Sequence, residues 1–277
     1  MQIKHQNRIL NLDTPKIMGI LNVTPDSFSD GGQWNAVDKA LEHAQDMIAA
    51  GASIIDIGGE STRPGAAFVS VEEEISRVIP VVKALREHNS KILISIDTSQ
   101  PEVITEAIQA GADIWNDIRA LTVKDAVATA SKLQIPVILM HMQGTPFTMQ
   151  NHPHYDDTLS EVIAFLQERV EICLNAGIKH ENIILDPGFG FGKSVNDNFT
   201  LLNHLEDFVN LGYPLLSALS RKSMLGAACN LPNPQDRLIG SVAGALISFM
   251  KGAQMVRVHD VKETRQALEI YLATVNA

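Results

Sequence analysis

The segments AGASIIDIGG (residues 50–59) and AGADIWNDIR (residues 110–119) share one order of features. Each begins with the last residue of a stretch of helical periodicity, and its second residue is a glycine, which is typical of the position just past a helix end. A short run of apolar and β-branched residues comes next and carries acidic or amide side chains at its end. Helix, glycine and strand recur as one unit, which predicts parallel strands joined by helical crossovers.

Similar units occur along the whole chain. Apolar runs typical of strands cover residues 16–23, 53–57, 92–96, 113–116, 136–140, 182–185, 213–219 and 254–258. Helical periodicity covers residues 36–50, 70–88, 101–110, 157–176 and 262–277. Runs that are apolar at nearly every position are typical of parallel strands covered on both faces.

Eight such units in 277 residues favour an α/β fold of the closed (β/α)8 TIM-barrel type over an open doubly wound sheet. Since no stretch resembles a linker, we predict a single domain over residues 1–277. Residues 1–15 precede the first strand, and we expect them to form a hairpin or lid at the bottom of the barrel.

Composition argues against several classes of protein. The chain has 22 basic and 32 acidic residues and a net charge near −10, whereas a nucleic-acid surface needs clustered lysine and arginine. Two cysteines, Cys173 and Cys229, cannot build a disulfide framework or a thiolate zinc site. Residues 1–19 have no apolar core and no small-residue cleavage site, so we expect no signal peptide, and no apolar stretch reaches the ~20 residues that span a bilayer. We therefore expect a cytoplasmic protein without a nucleic-acid or membrane partner.

Polar side chains stand where the predicted strands end. They are Asn22, Asp56, Asp97, Asn116, Asp117, His141, Asp186, Ser220, Arg221, Lys222, Arg257 and His259. In a barrel these positions ring the carboxyl-terminal mouth, where catalytic residues collect. Strand ends are often polar simply because loops are polar, but this set is rich in acceptors and cations rather than serine and glycine. We interpret it as a site for a flat nitrogen heterocycle.

The set divides by chemistry. Arg257 and His259 share one face of an extended strand, and a cation beside an imidazole suits a phosphate-like anion. The alternative is that both only pair with neighbouring carboxylates. Asp97, Asn116 and Asp186 could read the N–H groups of a heterocycle, and Lys222 could offset a buried carboxylate as well as contact a ligand. Two long loops, residues 22–32 and 58–65, are expected to act as lids.

Two further patterns are weak. GFGFGKS (residues 188–194) resembles a phosphate-binding loop, but Pro187 stands where the first glycine is required. His152 and His154 could suggest a metal site, yet they lie deep in a loop rather than at a strand end, which favours a solvated loop.

Five motifs in order carry a resemblance to a known family. They are MGILNVTPDSFSDGG (18–32), DIGGESTRPGA (56–66), DPGFGFGK (186–193), SRKS (220–223) and RVHDV (257–261). Together they resemble the dihydropteroate synthases of bacterial folate synthesis. The resemblance implies a TIM barrel, a homodimer, and a transferase that joins 6-hydroxymethyl-7,8-dihydropterin diphosphate to 4-aminobenzoate with magnesium. It also implies inhibition by sulfonamides, which compete with 4-aminobenzoate.

The same resemblance implies a role for each matching residue. The metal ligand would be Asn22. The pterin diphosphate would be bound by Thr62, Asp97, Asn116, Asp186, Lys222, Arg257 and His259. The 4-aminobenzoate pocket would be shaped by Phe28, Arg63, Pro64, Phe191 and Ser220. The catalytic residues would be Asp97, Lys222 and Arg63.

Two alternatives remain at this point. One is a pterin- or folate-binding module that presents a methyl group to a corrinoid partner, which would not need the TRP (62–64) or SRK (220–222) motifs. The other is a catalytically degenerate paralogue that assembles with an active copy. Diphosphate release from the two substrates distinguishes both from the transferase.

Overall fold

The computed structural model describes residues 1–24, 32–60, 69–149 and 153–277. Eight parallel strands form one sheet, and an antiparallel hairpin precedes it. The strands of the hairpin are β1 (Gln2–His5) and β2 (Arg8–Asn11). The strands of the sheet are β3 (Lys16–Asn22), β4 (Ile54–Gly58), β5 (Leu93–Asp97), β6 (Ile114–Asp117), β7 (Val137–Met140), β8 (Ile183–Asp186), β9 (Leu216–Ser217) and β10 (Met255–Val258).

The sheet closes on itself. Strands β3 to β8 pair in chain order, and β10 lies between β3 and β9. A parallel bridge between Leu185 and Leu215 joins β8 to the residue before β9. The predicted (β/α)8 barrel is therefore confirmed.

Helices cover the outside of the barrel. They are α1 (Gly32–Ala49), α2 (Val71–His88), α3 (Pro101–Ala110), α4 (Ala126–Leu133), α5 (Thr158–Asn175), α6 (Val195–Asn203), α7 (Leu205–Val209), α8 (Ser223–Cys229), α9 (Leu238–Met250) and α10 (Val261–Val275). Local signals set their ends: the Ser70 side chain accepts a hydrogen bond from the Glu73 amide at the start of α2. Gly111, with φ of 111°, ends α3. In the described parts of the chain, no helix combines the length and apolarity needed to cross a membrane.

The lower barrel interior is a layer of apolar side chains closed by the hairpin. Each of the eight sheet strands contributes one side chain to this cluster: Met18, Ile54, Leu93, Ile114, Ile138, Ile184, Leu216 and Met255. Ile3 and Leu12 from the amino-terminal segment pack against them. The predicted hairpin at the bottom of the barrel is confirmed, and the interior is a packed core rather than a pore.

Strand β9 is shorter than the predicted run of residues 213–219. Pro214 has no N–H to donate, although its carbonyl accepts from the Leu185 amide at 2.9 Å. The Leu215 amide donates to the Gln254 side chain at 2.8 Å instead of to a neighbouring strand. Regular pairing is therefore limited to Leu216 and Ser217.

Candidate active site

The carboxyl-terminal mouth of the barrel is organised around Arg257. Its Nε donates to Asp56 Oδ2 at 2.6 Å, and its Nη2 donates to Asp97 Oδ2 at 2.7 Å. Asp56 is fully buried at the centre of β4, and Asp97 ends β5. The pairing of Arg257 with neighbouring carboxylates, raised above as an alternative, does occur. It joins the predicted anion-binding arginine directly to the predicted heterocycle-binding carboxylates, so the two groups form one site.

Acceptors for a heterocycle lie beside this ion pair. Asn116 on β6 is buried, and its Nδ2 donates to Asp56 Oδ2 at 3.1 Å. Asp56 Oδ1 is buried and has no hydrogen-bond partner among the described residues. Asp186 is also buried, and its Oδ1 accepts from the Gly188 amide at 2.7 Å. An unsatisfied buried carboxylate oxygen is costly, which suits an oxygen that receives an N–H from a ligand.

Burial dominates the ionisation of Asp97 and Asp186. It raises the pKa of Asp97 to about 7, because the attraction of Arg257 only partly offsets the desolvation and the repulsion from Asp56 and Asp117. Burial also raises the pKa of Asp186, against the opposing charge of Lys222. A carboxyl group with a pKa near neutrality in a cleft is typical of a functional site.

Lys222 lies against the loop that follows β8. Its Nζ donates to the Phe189 carbonyl oxygen and lies 4.7 Å from the centre of the Phe191 ring. Burial lowers the pKa of Lys222 to about 8, although Asp186 favours the charged form. The expected pairing of Lys222 with a buried carboxylate is therefore electrostatic, while its ammonium donates a hydrogen bond to a backbone carbonyl.

The remaining cations differ in what they contact. His259 follows β10, and its Nδ1 lies 2.9 Å from Ser220 Oγ, which ties two predicted site residues together. Arg221, in contrast, donates to Asp260 through Nε at 3.1 Å and to Gln235 through Nη1 at 2.7 Å. Arg221 therefore braces the mouth rather than pointing an unpaired charge into it.

Several predicted positions lie at or beyond the edge of the described structure. Asn22 is half-buried at the end of β3 and pairs in register with Gly58 of β4. Four predicted site residues lie outside the described residues: Phe28, Thr62, Arg63 and Pro64. Most of both predicted lids lies there too. His154 is exposed and lies 3.5 Å from Asp156, in agreement with a solvated loop.

Asp56 and His141 stood among the polar residues predicted at the mouth but had no assigned ligand, and Lys193 was not among the predicted site residues. Asp56 was predicted at the end of its strand but lies in the middle of β4, and its hydrogen bond to Arg257, 201 residues away, shows its role in the site. Lys193 Nζ lies 2.8 Å from His141 Nδ1, and the ammonium is buried. The signal that could have found Lys193 is a lysine inside a glycine-rich turn that does not fit a phosphate-binding loop.

A TIM barrel with buried acceptors, an amide and several cations at its carboxyl mouth defines an enzyme that binds a polar heterocycle beside an anion. Residues 18–259 match the family described as pterin binding enzyme. The dihydropteroate synthase of Haemophilus influenzae is 54% identical over 277 residues, with 100% of both chains covered. That of Escherichia coli K12 is 53% identical over 277 residues, covering 100% of this chain and 98% of the relative.

Solved structures agree with the sequence relatives. The Yersinia pestis dihydropteroate synthase in a sulfonamide drug complex has a TM-score of 0.94 and 53% identity, with 100% of both chains covered. The Xanthomonas albilineans dihydropteroate synthase with 4-aminobenzoic acid has a TM-score of 0.94 and 46% identity, covering 100% of this chain and 98% of that one. The chain therefore belongs to the pterin-binding enzymes and, within them, to the dihydropteroate synthases. The predicted family, enzyme class and activity are confirmed.

Proposed function

We propose that the chain condenses 6-hydroxymethyl-7,8-dihydropterin diphosphate with 4-aminobenzoate and releases 7,8-dihydropteroate and diphosphate. The observation that carries the proposal is the position of Arg257, which donates to Asp56 and Asp97 at the mouth of the barrel. A heterocycle that donates N–H groups to these carboxylates has its exocyclic substituent close to a cation. That is the arrangement a pterin with a diphosphate substituent requires.

The pterin is held by the buried acceptors. Asp97, Asn116 and Asp186 lie on β5, β6 and β8, and the two carboxylates are close enough to attract both the guanidinium of Arg257 and the ammonium of Lys222. Carboxylates accept hydrogen bonds from ring and amino N–H groups, while the amide can donate and accept. Asp56 belongs to the same group because its free Oδ1 is buried beside Asn116.

The diphosphate is held by Arg257 and His259, together with Thr62, which lies outside the described residues. The bond from the methylene carbon to the diphosphate oxygen breaks, and the departing oxygen carries the electron pair. Arg257 and His259 stabilise the charge that develops there. Asp97 stabilises the cationic methylene carbon of the dihydropterin. The neutral amine of 4-aminobenzoate then forms the new C–N bond and loses one proton, so no covalent enzyme intermediate is required.

The 4-aminobenzoate pocket includes Ser220 and Phe191 among the described residues. The Phe191 ring is fixed beside the Lys222 ammonium, and Ser220 is held by His259. Phe28, Arg63 and Pro64 complete the proposed pocket from the two lids. Because a sulfonamide resembles 4-aminobenzoate in shape and charge, we expect sulfonamides to compete for the same pocket.

Magnesium fits the donor set at Asn22. The described residues contain no group of three histidine, cysteine or acidic side chains that could hold a metal by themselves. A single amide oxygen at a strand end suits Mg²⁺, which usually keeps several waters and binds through substrate phosphates and few protein ligands. Asn22 would hold the ion, and the ion would neutralise diphosphate charge when bound.

The proposed homodimer is supported by the outer face of α9. Ile239, Ala243, Ile247 and Met250 lie along one stripe of this helix and are exposed. Ile239 is 82% exposed and Met250 is 64% exposed. A helix that is apolar on both faces is typical of one buried on both sides, and a second copy of the chain would cover this stripe. The cytoplasmic location stays a prediction from composition.

The test is product formation by the purified chain. Both substrates are incubated with magnesium chloride, and 7,8-dihydropteroate and diphosphate are measured in equal amounts. Reactions lacking one substrate, and a reaction with Arg257→Met, serve as controls. Equal release of both products supports the proposal. Binding of the pterin diphosphate without diphosphate release contradicts it and favours a binding module.

A further inference from the structure

The loop between β8 and α6 is the part of the mouth whose motif the proposed reaction leaves unexplained. Gly188, Gly190 and Gly192 in this loop have φ values of 71°, 79° and 61°, a region that other residues rarely adopt. A Cβ at Gly188 would lie 1.9 Å from the His141 carbonyl oxygen, so the loop is packed directly on the backbone that follows β7. The loop therefore has a defined shape that depends on its neighbours.

Lys193 closes this loop from inside the protein. Its Nζ lies 2.8 Å from His141 Nδ1, 2.9 Å from the Gly188 oxygen, 3.0 Å from the Phe191 oxygen and 3.4 Å from the His141 oxygen. The residue is only 3% exposed. The three shortest contacts match the three N–H bonds of an ammonium group. Lys193 is thus occupied by the protein itself and does not act as the lysine of a phosphate-binding loop.

Two other side chains hold the same loop. Tyr155 donates through its hydroxyl to the Gly192 oxygen at 2.6 Å. The Gly190 amide donates to Asn198 Oδ1 at 2.6 Å. Tyr155 lies before α5 and Asn198 lies on α6. Together with His141 after β7, they hold the loop from three directions.

The outer surface of this loop is what Lys222 contacts. The Lys222 ammonium donates to the Phe189 carbonyl oxygen and lies over the Phe191 ring, and a Cβ at Gly190 would lie 3.1 Å from Lys222 Cδ. A shift of the loop would therefore move the oxygen and the ring that fix Lys222. It would also move Phe191 relative to the proposed 4-aminobenzoate pocket.

We propose that Lys193 is a positioning residue that, by bonding His141 to the loop, holds the Phe189 carbonyl and the Phe191 ring where Lys222 needs them. This proposal rests on the proposed role of Lys222 in binding the pterin diphosphate. Lys193 acts through Phe189 and Phe191 and touches neither substrate. A misplacement of about 1 Å can lower a rate on the order of 100-fold.

The test compares Lys193→Met with Tyr155→Phe. The first removes the ammonium and keeps the length of the side chain, while the second removes one tie of the same loop without any change of charge. Lys132→Met on the exposed side of α4 is the matched control. Each variant is examined for thermal unfolding, hydrogen exchange of residues 188–192, kcat and KM for both substrates, and the pH profile of kcat/KM.

For Lys193→Met we expect faster amide exchange in the loop and a fall in kcat/KM for the pterin diphosphate of about 10- to 100-fold. We also expect a higher KM for 4-aminobenzoate. The basic limb of the kcat/KM profile should move to higher pH, because a looser loop lets water reach Lys222 and weakens the burial that lowers its pKa. Tyr155→Phe should move the same quantities in the same direction by less. Lys132→Met should match the unmodified chain.

Unchanged kinetics and an unchanged pH profile in folded Lys193→Met would overturn the proposal, as would a loss of rate with no change in loop exchange. If Lys193→Met does not fold, Tyr155→Phe decides by the same readouts. An unmodified chain that forms no product would refute the proposed function instead. Loop exchange would then test the positioning role without reference to activity.

Discussion

Arg257 donates through Nη2 to Asp97 Oδ2 at 2.7 Å, although 160 residues separate the two in sequence. The same guanidinium donates to Asp56, so one cation joins β10, β4 and β5. Asp97 carries a pKa raised to about 7 by burial, and the charge of Arg257 opposes that rise. Arg257 therefore favours the ionised carboxylate, the form that the proposed pterin contact requires.

Replacing Asp97 by asparagine should reduce turnover far more than stability. The amide keeps the size of the side chain but removes the negative charge that, in the proposed mechanism, stabilises the cationic methylene carbon. We expect kcat to fall on the order of 100-fold or more, by analogy with the loss of one preorganised electrostatic group. The unfolding temperature should change by only a few degrees. Steady-state kinetics and thermal unfolding of the same sample check both statements.

Asp46→Asn is the matched control for this variant, because Asp46 is exposed on α1. It removes the same charge far from the mouth and should leave kcat unchanged. Full activity of Asp97→Asn would refute the role of Asp97.

The pH dependence of kcat/KM should follow two groups in the mouth. The proposed mechanism requires Asp97 ionised and Lys222 protonated. The rate should therefore fall below about pH 7 as Asp97 takes up a proton, and above about pH 8 as Lys222 loses one. Burial also raises the pKa of Glu74 to about 7, so variants are needed to assign the acid limb. Asp97→Asn should remove that limb, whereas Glu74→Gln should retain it.

The opposite result, an acid limb that disappears in Glu74→Gln and persists in Asp97→Asn, would assign this limb to Glu74. It would contradict the proposed role of Asp97. The basic limb should be lost in Lys222→Met, with a large rise in KM for the pterin diphosphate.

The barrel was predictable from sequence because each of its signals is local. Apolar runs, helical periodicity and glycine at helix ends all act within a few residues of one another, and the ends of most strands follow from them. Asp97, Asn116 and Asp186 could be assigned to one mouth because parallel strands place their carboxyl ends together. Strand β9 is shorter than the predicted run because Pro214 lacks an N–H and the Gln254 side chain accepts from the Leu215 amide. The contact with Gln254 is not local in sequence.

Other parts of the site depend on contacts between distant segments. Nothing near Asp56 in sequence indicates that Arg257 pairs with it. The burial of Lys193 depends on His141, 52 residues away, while the glycines around it suggest a phosphate-binding loop. Helix α9 was absent from the predicted helices because it is apolar on both faces, and a helix of that kind has little amphipathic contrast to detect.

Asp113 should be a main anchor of the hairpin that closes the bottom of the barrel. Its fully buried carboxylate accepts from Arg8 Nε at 2.6 Å and from Arg86 Nη2 at 2.6 Å, and lies 3.1 Å from His5 Nδ1. Asp113→Asn leaves the two arginines without their counter-charge. We expect the free energy of unfolding to fall by about 3 kcal/mol, as is typical when one partner of a buried ion pair is removed. Urea unfolding at pH 7 measures it.

Acid should reduce the difference in free energy of unfolding between the unmodified chain and Asp113→Asn. Burial would raise the pKa of Asp113, but the bonds from His5, Ile94 and Arg8 and the charge of Arg86 outweigh it, so the pKa is lowered from 3.8. A lowered pKa in the folded state means that the carboxylate stabilises the protein above pH 3.8 and loses this effect as the pH falls further. The gap between the unmodified chain and Asp113→Asn should therefore be full at pH 7 and shrink below about pH 4. Asp13→Asn, at a residue whose side chain is 71% exposed, should show no comparable gap.

We expect the exposed stripe of α9 to form the interface between two copies of the chain. Ile247 lies in the middle of this stripe, one turn from Ala243 and from Met250, and is 41% exposed. In a two-fold dimer the same stripe meets its copy, so an aspartate at its centre would bring two buried like charges close together. We expect the unmodified chain to sediment as a dimer and Ile247→Asp to sediment as a monomer at the same concentration. Ile172→Asp on α5, at a site that is 36% exposed, should leave the dimer intact, because it introduces the same charge outside the stripe. A dimer that persists in Ile247→Asp would place the interface elsewhere on the barrel.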